Sequence, residues 1–155
     1  MGVVAALLPE PPRLSFCRRV EARAAVLIAT LVARWSPQRI RSVLVGLSAG
    51  QRPATQVDVE QAWEAAVGVS ARCAGRRGCL VRSLATVLLC RWHGSWPTWC
   101  VGVRDAGLPD AHAWVEVDGR PVREVPGTAE AYRVVLSVGP VGPVGPVGPM
   151  GPVGS

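Results

Sequence analysis

The residues of this chain best suited to chemistry are Cys79, His112 and the acids that follow His112, namely Glu116, Asp118 and Glu124. Cys79 comes directly after Gly78 and opens the apolar run 79–92, which places it at a helix N-terminus. Unpaired backbone N–H groups and the helix macrodipole favour a thiolate there and can also hold an oxyanion. The plainer alternative is a structural thiol, the commoner fate of a lone cysteine on an apolar helix. In His112-Ala113-Trp114-Val115-Glu116-Val117-Asp118, the residues His, Trp, Glu and Asp alternate with Ala, Val and Val. The apolar face must turn to the core, so His112 lies on a polar or cleft-facing side where an imidazole can titrate. A solvated surface histidine is the alternative. His93 lies in a Gly-rich turn and reads as part of a loop.

The rival use of these side chains is metal binding by Cys73, Cys79, Cys90, His93, Cys100 and His112. Zinc sites usually carry a tight Cys-x2–4-Cys knuckle, and this chain has none; its nearest unit is Cys90-Arg-Trp-His93. Cys79 and Cys90 stand roughly 16 Å apart along one helix axis, too far to share a metal. No metal and no cofactor is expected. Arg72, Arg76, Arg77 and Arg82 form a basic stretch around Cys79; they are either a solvated loop or a means of lowering the thiol pKa. Trp92, Trp96 and Trp99 cluster where helix gives way to strand, and one of them is a candidate wall for a peptide cleft.

Composition narrows the chemistry further. All 17 basic residues are Arg, so neither the lysine of a phosphate-binding loop nor a lysine nucleophile is present. A net charge of +6 without lysine reads as codon bias, and no nucleic-acid partner is expected. The longest apolar run, 24–33, is shorter than the roughly 20 residues of a membrane span. Basic residues follow the apolar N-terminus instead of preceding it, unlike a signal peptide. The five cysteines are odd in number and irregular in spacing, which fits reduced thiols and a cytoplasmic protein.

The elements that must position these groups can be read in order. Residues 14–35 have helical spacing. Ser36-Pro37 offers an N-cap and a first-turn proline for a helix to about Leu47. A loop spans 46–54, and Asp58 with Gln61 resembles a capping box opening a third helix to about Val69. After the turn 74–78, the helix 79–92 is apolar on most faces and is expected to be central and buried. Beyond His93-Gly94 the period falls to two, giving strands at 98–104, 111–117 and 120–125, with Asp118-Gly119 as a hairpin turn. Helices followed by an antiparallel sheet make an α+β domain over residues 14–137. Residues 1–13 are an N-terminal extension. Residues 138–155 repeat Gly-Pro-Val and read as a disordered, polyproline-like tail, with a collagen triple helix as the less favoured alternative.

A helix opening with Gly78-Cys79-Leu80-Val81-Arg82-Ser83-Leu84-Ala85, then Val101-Gly102-Val103, then Ala111 to Gly119 with Pro121-Val122 after it, resembles the transglutaminase-like branch of the papain-like cysteine enzymes. More narrowly it resembles the leader peptidases of lasso-peptide biosynthesis. The resemblance implies a Cys-His-acid peptidase that removes the leader from a ribosomally made precursor peptide. It implies two partners besides that precursor: a separate small leader-recognition protein, and an ATP-dependent macrolactam cyclase that uses the freed amine. The Gly-Pro-Val tail departs from the family pattern, as does Glu at 124, where the family acid is often Asp. An amide-forming acyltransferase and a non-catalytic precursor-binding scaffold are the alternative readings.

Which acid serves His112 is a matter of reach. Along an extended strand Glu116 and Asp118 lie about 13 and 20 Å from His112, so neither can touch it. A tight two-residue turn at Asp118-Gly119 would set Glu124 opposite Ala113, facing the core. A three-residue loop, Asp118-Gly119-Arg120 with Gly in a left-handed bulge, would pair Glu124 with Trp114 and make it a diagonal neighbour of His112. The bulged hairpin, with Glu124 as third member beside Cys79 and His112, is therefore the expectation.

Overall fold

The computed structural model describes residues 14–104, 107 and 110–140. Helices α1 (Phe16–Val32), α2 (Pro37–Ser48), α3 (Gln56–Val69) and α4 (Ala71–Ala74) precede α5 (Cys79–Trp92), and the strands follow it except for the short β1 (Arg52–Pro53). β2 (Ser95–Trp96) pairs in parallel with β1. β3 (Thr98–Arg104), β4 (Asp110–Val117), β5 (Arg120–Pro121) and β6 (Arg133–Val138) form an antiparallel sheet in the order β5-β4-β3-β6. This is the expected α+β architecture with the Cys-bearing helix at its centre.

α5 is central because it is apolar around most of its circumference. Val81, Leu84, Ala85, Val87, Leu88, Leu89 and Cys90 are all buried, together with the polar Ser83 and Thr86. Those two hydroxyls are satisfied by their own helix, Ser83 donating to the Leu80 carbonyl and Thr86 to that of Arg82, so burying them leaves no orphan donor. α1 and α3 pack on one side of α5. They do so through small residues, Ala22, Ala25 and Ala29 on α1 and Ala62, Ala65 and Ala66 on α3, which let helix axes approach closely. β4 packs on α5 through the core side chain of Val115. The Trp99 indole N–H donates to the Ser83 hydroxyl at 3.1 Å, pinning sheet to helix.

Several elements differ from expectation. The capping box of α3 is Thr55 with Asp58, not Asp58 with Gln61. Thr55 Oγ1 accepts from the Asp58 N–H, while Asp58 Oδ2 accepts from the Thr55 N–H at 2.9 Å. Asp58 is thus the third helical residue, and its pKa is held down at about 2, chiefly by the Arg52 guanidinium. The expected third strand, 120–125, stops at Pro121. A sixth strand, β6, was not foreseen. It closes the sheet beside β3 and ends at Val138, which is 3% exposed and whose carbonyl accepts the Trp96 indole N–H at 3.2 Å. Val138, which the repeat pattern had put in the tail, therefore belongs to the sheet. The N-terminal extension and residues 141–155 of the tail lie outside the described residues.

The hairpin that leads to Glu124 is tighter than expected. Val117 pairs with Arg120 and Glu116 with Pro121. Asp118 and Gly119 have φ of 51° and 73°, the two positive values of a tight type I′ turn. The three-residue bulged loop does not form, because Asp-Gly satisfies the tight turn without it.

Candidate active site

Cys79 is the first residue of α5, delivered by a single 3-10 turn at Arg76–Gly78. The junction demands glycine at 78. A Cβ there would stand 1.9 Å from the Arg72 carbonyl oxygen and 2.9 Å from its carbon, so α4 backbone presses directly on the residue before the thiol. Cys79 is partly exposed, whereas Cys73, Cys90 and Cys100 are buried. The Cys79 thiol pKa is lowered, first by hydrogen bonding with the His112 ring and then by the Ala113 and Leu80 N–H groups, against a smaller opposing effect of burial than the His112 contribution. Burial pushes the other three up: Cys73 upward, Cys100 to about 11 and Cys90 to about 12. The positive charge of Arg72 and Arg82 bears on Cys73. Of the two readings of the arginine stretch, lowering of the Cys79 pKa is work that His112 and backbone N–H groups do instead.

His112, on β4, joins the thiol to an acid. Its Nε2 lies 2.9 Å from Glu124 Oε2, which leaves Nδ1 for the sulfur. Hydrogen bonding to Cys79, then to Glu124, raises the His112 pKa from 6.5 to about 9 against the opposing effect of burial. A thiol held down beside an imidazole held up is the signature of a thiolate–imidazolium pair. The His112 and Glu124 side chains are only 15% and 10% exposed, so this pairing is little screened by solvent.

Glu124 arrives by a route other than the one expected. After the tight turn, Val122 still donates its N–H to the Val115 carbonyl at 3.0 Å. Regular alternation from there would send Glu124 to the core face. Arg123 intervenes with φ of 57°, a left-handed residue that inverts the alternation and turns Glu124 back to His112. The other two acids are occupied elsewhere: Glu116 Oε1 accepts the Trp114 indole N–H at 2.8 Å, and Asp118 is in the turn.

Two aromatic rings fix the imidazole. Trp114 stacks on His112 with centroids 5.8 Å apart and planes 16° apart, and Tyr132 lies 5.3 Å away at 35°. The Tyr132 hydroxyl donates to Asp110 Oδ2 at 2.7 Å and accepts from Arg104 Nη2 at 3.3 Å. The Trp114 ring and the base of the Tyr132 side chain meet over β3 at Gly102, the strand partner of His112. A Cβ at 102 would stand 2.8 Å from Tyr132 Cβ and 2.9 Å from Trp114 Cη2. Tyr132 and Gly102 were not picked out as site residues; an isolated Gly within a strand is the signal that points to such a close approach. The tryptophans singled out as cleft walls do other work. Trp96 and Trp99 are core residues, and Trp92 ends α5, roughly 20 Å from Cys79.

The rival metal ligands are dispersed. Cys90 faces the Asp58 carbonyl, Cys100 the Ser137 hydroxyl, and His93 pairs with Glu21 at 3.2 Å. Among the described residues no three potential ligands gather, and no helix is long and apolar enough to cross a membrane.

Comparison with known proteins agrees with this geometry. The family model described as the transglutaminase-like superfamily matches residues 22–137. No curated protein and no solved structure matches the chain.

Proposed function

The chain belongs to the transglutaminase-like superfamily, and from that premise we propose that it is a cysteine peptidase removing the leader from a ribosomally synthesised lasso-peptide precursor. The observation that carries the reading is the row Cys79, His112, Glu124, in which a thiol of lowered pKa meets a carboxylate-oriented imidazole of raised pKa. In this mechanism the Cys79 thiolate attacks the scissile carbonyl, and N–H groups at the start of α5 stabilise the oxyanion. His112 gives its proton to the leaving amine, and the C–N bond breaks. Water then attacks the thioester, losing a proton to His112, and the acyl product leaves as a carboxylic acid. Glu124 holds the ring orientation and stabilises the imidazolium throughout.

The substrate class rests on the resemblance of residues 78–85 and 111–122 to the lasso-peptide leader peptidases. On the same footing, a separate leader-recognition protein brings precursor to this chain by raising its effective concentration, and a macrolactam cyclase consumes the freed amine. The test is incubation of the purified chain with a leader–core precursor, with and without the leader-recognition protein, read by mass spectrometry. Hydrolytic release of the leader, lost in Cys79→Ala, is the expected result. Transfer of the acyl group to an added amine in place of water would make the chain an acyltransferase, and an unreactive Cys79 would overturn both readings.

A further inference from the structure

Behind the carboxylate, on α5 one turn beyond Cys79, the Arg82 guanidinium makes contacts that the Cys-His-Glu row does not explain. Its Nη2 lies 4.0 Å from Glu124 Oε1, the carboxylate oxygen that His112 leaves free. Its Nη1 donates to the Cys73 carbonyl at 2.9 Å and to that of Gly75 at 3.4 Å, in the turn that leads into Gly78 and Cys79. The guanidinium lies over the Trp63 ring, 5.9 Å from its centroid. Arg123, the residue that turns Glu124 inward, lies over the same ring at 5.9 Å and pairs with Glu64. The Arg82 side chain is 14% exposed, so its placement is set by these partners and not by solvent.

We propose that Arg82 is a positioning residue of the site, tying the carboxylate that orients His112 to the backbone turn that delivers Cys79. A carboxylate held only through one oxygen by an imidazole can swing about its last bond. The guanidinium fork, with one nitrogen 4.0 Å from the neighbouring oxygen, biases that swing by its charge while leaving the first oxygen to the histidine. The fork is itself immobilised, because its other arm is bound to two carbonyls and its face rests on an indole. The same side chain therefore fixes the acid and the approach to the nucleophile relative to one another. This inference rests on the reading of Cys79, His112 and Glu124 as the reacting row.

The charged and titratable groups around His112 are Cys79 from α5, Glu124 with Arg82 behind it, and Tyr132 with its partners Asp110 and Arg104. The experiment is an NMR titration of the histidine rings of the full chain, in which His112 and His93 are the two signals, combined with leader-cleavage kinetics. Arg82→Met is expected to shift the His112 midpoint, by less than Glu124→Gln does, and to lower kcat by about tenfold with KM changed less than about twofold. Arg82→Lys, which keeps the charge and loses the fork, should fall between. In a Glu124→Gln background, Arg82→Met should move the His112 midpoint no further. A midpoint unchanged in Arg82→Met, or an equal shift with and without Glu124, would overturn the proposal by showing that Arg82 serves only the 73–75 turn. Should Arg82→Met not fold, Arg82→Lys decides: an intermediate midpoint supports the role, a wild-type midpoint overturns it. Failure of the peptidase reading would appear separately, as a wild-type chain that cleaves no precursor while its His112 titration still reports on Arg82.

Discussion

Glu124→Gln removes the acid's charge while keeping an oxygen and the side-chain shape, so it isolates what the carboxylate does for His112. In the intact site the His112 pKa is about 9 against an ordinary 6.5, a differential stabilisation of the imidazolium of about 3 kcal/mol. Hydrogen bonding to Cys79 is the first cause and hydrogen bonding to Glu124 the second, with a charge contribution from each, so removing the carboxylate takes away part of that stabilisation. The sign follows from which form is favoured. A folded-state pKa raised above 6.5 contributes stability that is complete below about 6.5 and is lost as pH rises through about 9. Removing Glu124 narrows that window from its alkaline side. The His112 midpoint should therefore fall from about 9 while staying above 6.5, since Cys79 remains, and the alkaline limb of kcat/KM should fall with it. NMR titration of the ring measures the first and cleavage rates against pH the second. Superimposable titrations of wild type and Glu124→Gln, or a wild-type His112 that titrates near 6.5, would refute the assignment of Glu124 and the ion-pair account together.

Cys79→Ala should abolish cleavage with Tm retained, whereas Cys90→Ala and Cys100→Ala should leave turnover within a few fold, since burial raises those thiols to about 12 and about 11; activity in Cys79→Ala would show that the nucleophile is misassigned. Gly78→Ala should lower Tm and alkylation of residue 79 together, because a Cβ 1.9 Å from the Arg72 carbonyl oxygen cannot be absorbed by a side-chain movement, at a cost of about 3 kcal/mol. Truncation after Pro140 should leave both stability and turnover unchanged. Truncation after Ser137 removes the buried Val138 and the acceptor of the Trp96 indole, so it should cost about 2–3 kcal/mol; equal Tm values for the two truncations would refute the place of Val138 in the sheet.

The helices were legible because their signals are local. Ser36 caps α2 with its side chain on the Arg39 N–H and Pro37 occupies the first turn, as the dipeptide predicts. α5 begins and ends at Cys79 and Trp92, where glycines on either side had bounded the apolar run. β6 was not legible. Its residues 133–138 read Arg-Val-Val-Leu-Ser-Val, a run without period-two alternation. The structure gives the reason: the register slips between Val101 and Gly102, so Gly102 pairs with Val134 and Val101 with Leu136. A strand that absorbs an extra residue breaks the alternation by which strands are recognised. The slip falls beside the glycine over which the Trp114 ring and the base of Tyr132 meet, so the irregularity belongs to the site.

The acid that meets His112 was named from the sequence, but by a route that the structure does not take. Reach along the strand excludes Glu116 and Asp118, but the case for Glu124 leaned on a three-residue loop that does not form. Register arithmetic then carries strict alternation past the hairpin, and one left-handed residue is enough to invert its parity. Arginine at positive φ is uncommon and costs about 1 kcal/mol relative to glycine, so residue type gave no notice of it. What holds Arg123 there is non-local: its guanidinium pairs with Glu64, 59 residues earlier in the chain, and lies over Trp63. Those two residues sit on α3, the helix whose Ala62, Ala65 and Ala66 are buried in the core. The placement of the acid is thus decided by contacts between α3 and the loop after β5, whereas that of the thiol is decided by the glycine next to it. Substitution of Glu64 should accordingly act on His112 through Arg123 and Glu124 and leave the start of α5 in place, whereas substitution of Trp63 also removes the ring under Arg82 and so reaches the 73–75 turn before Cys79.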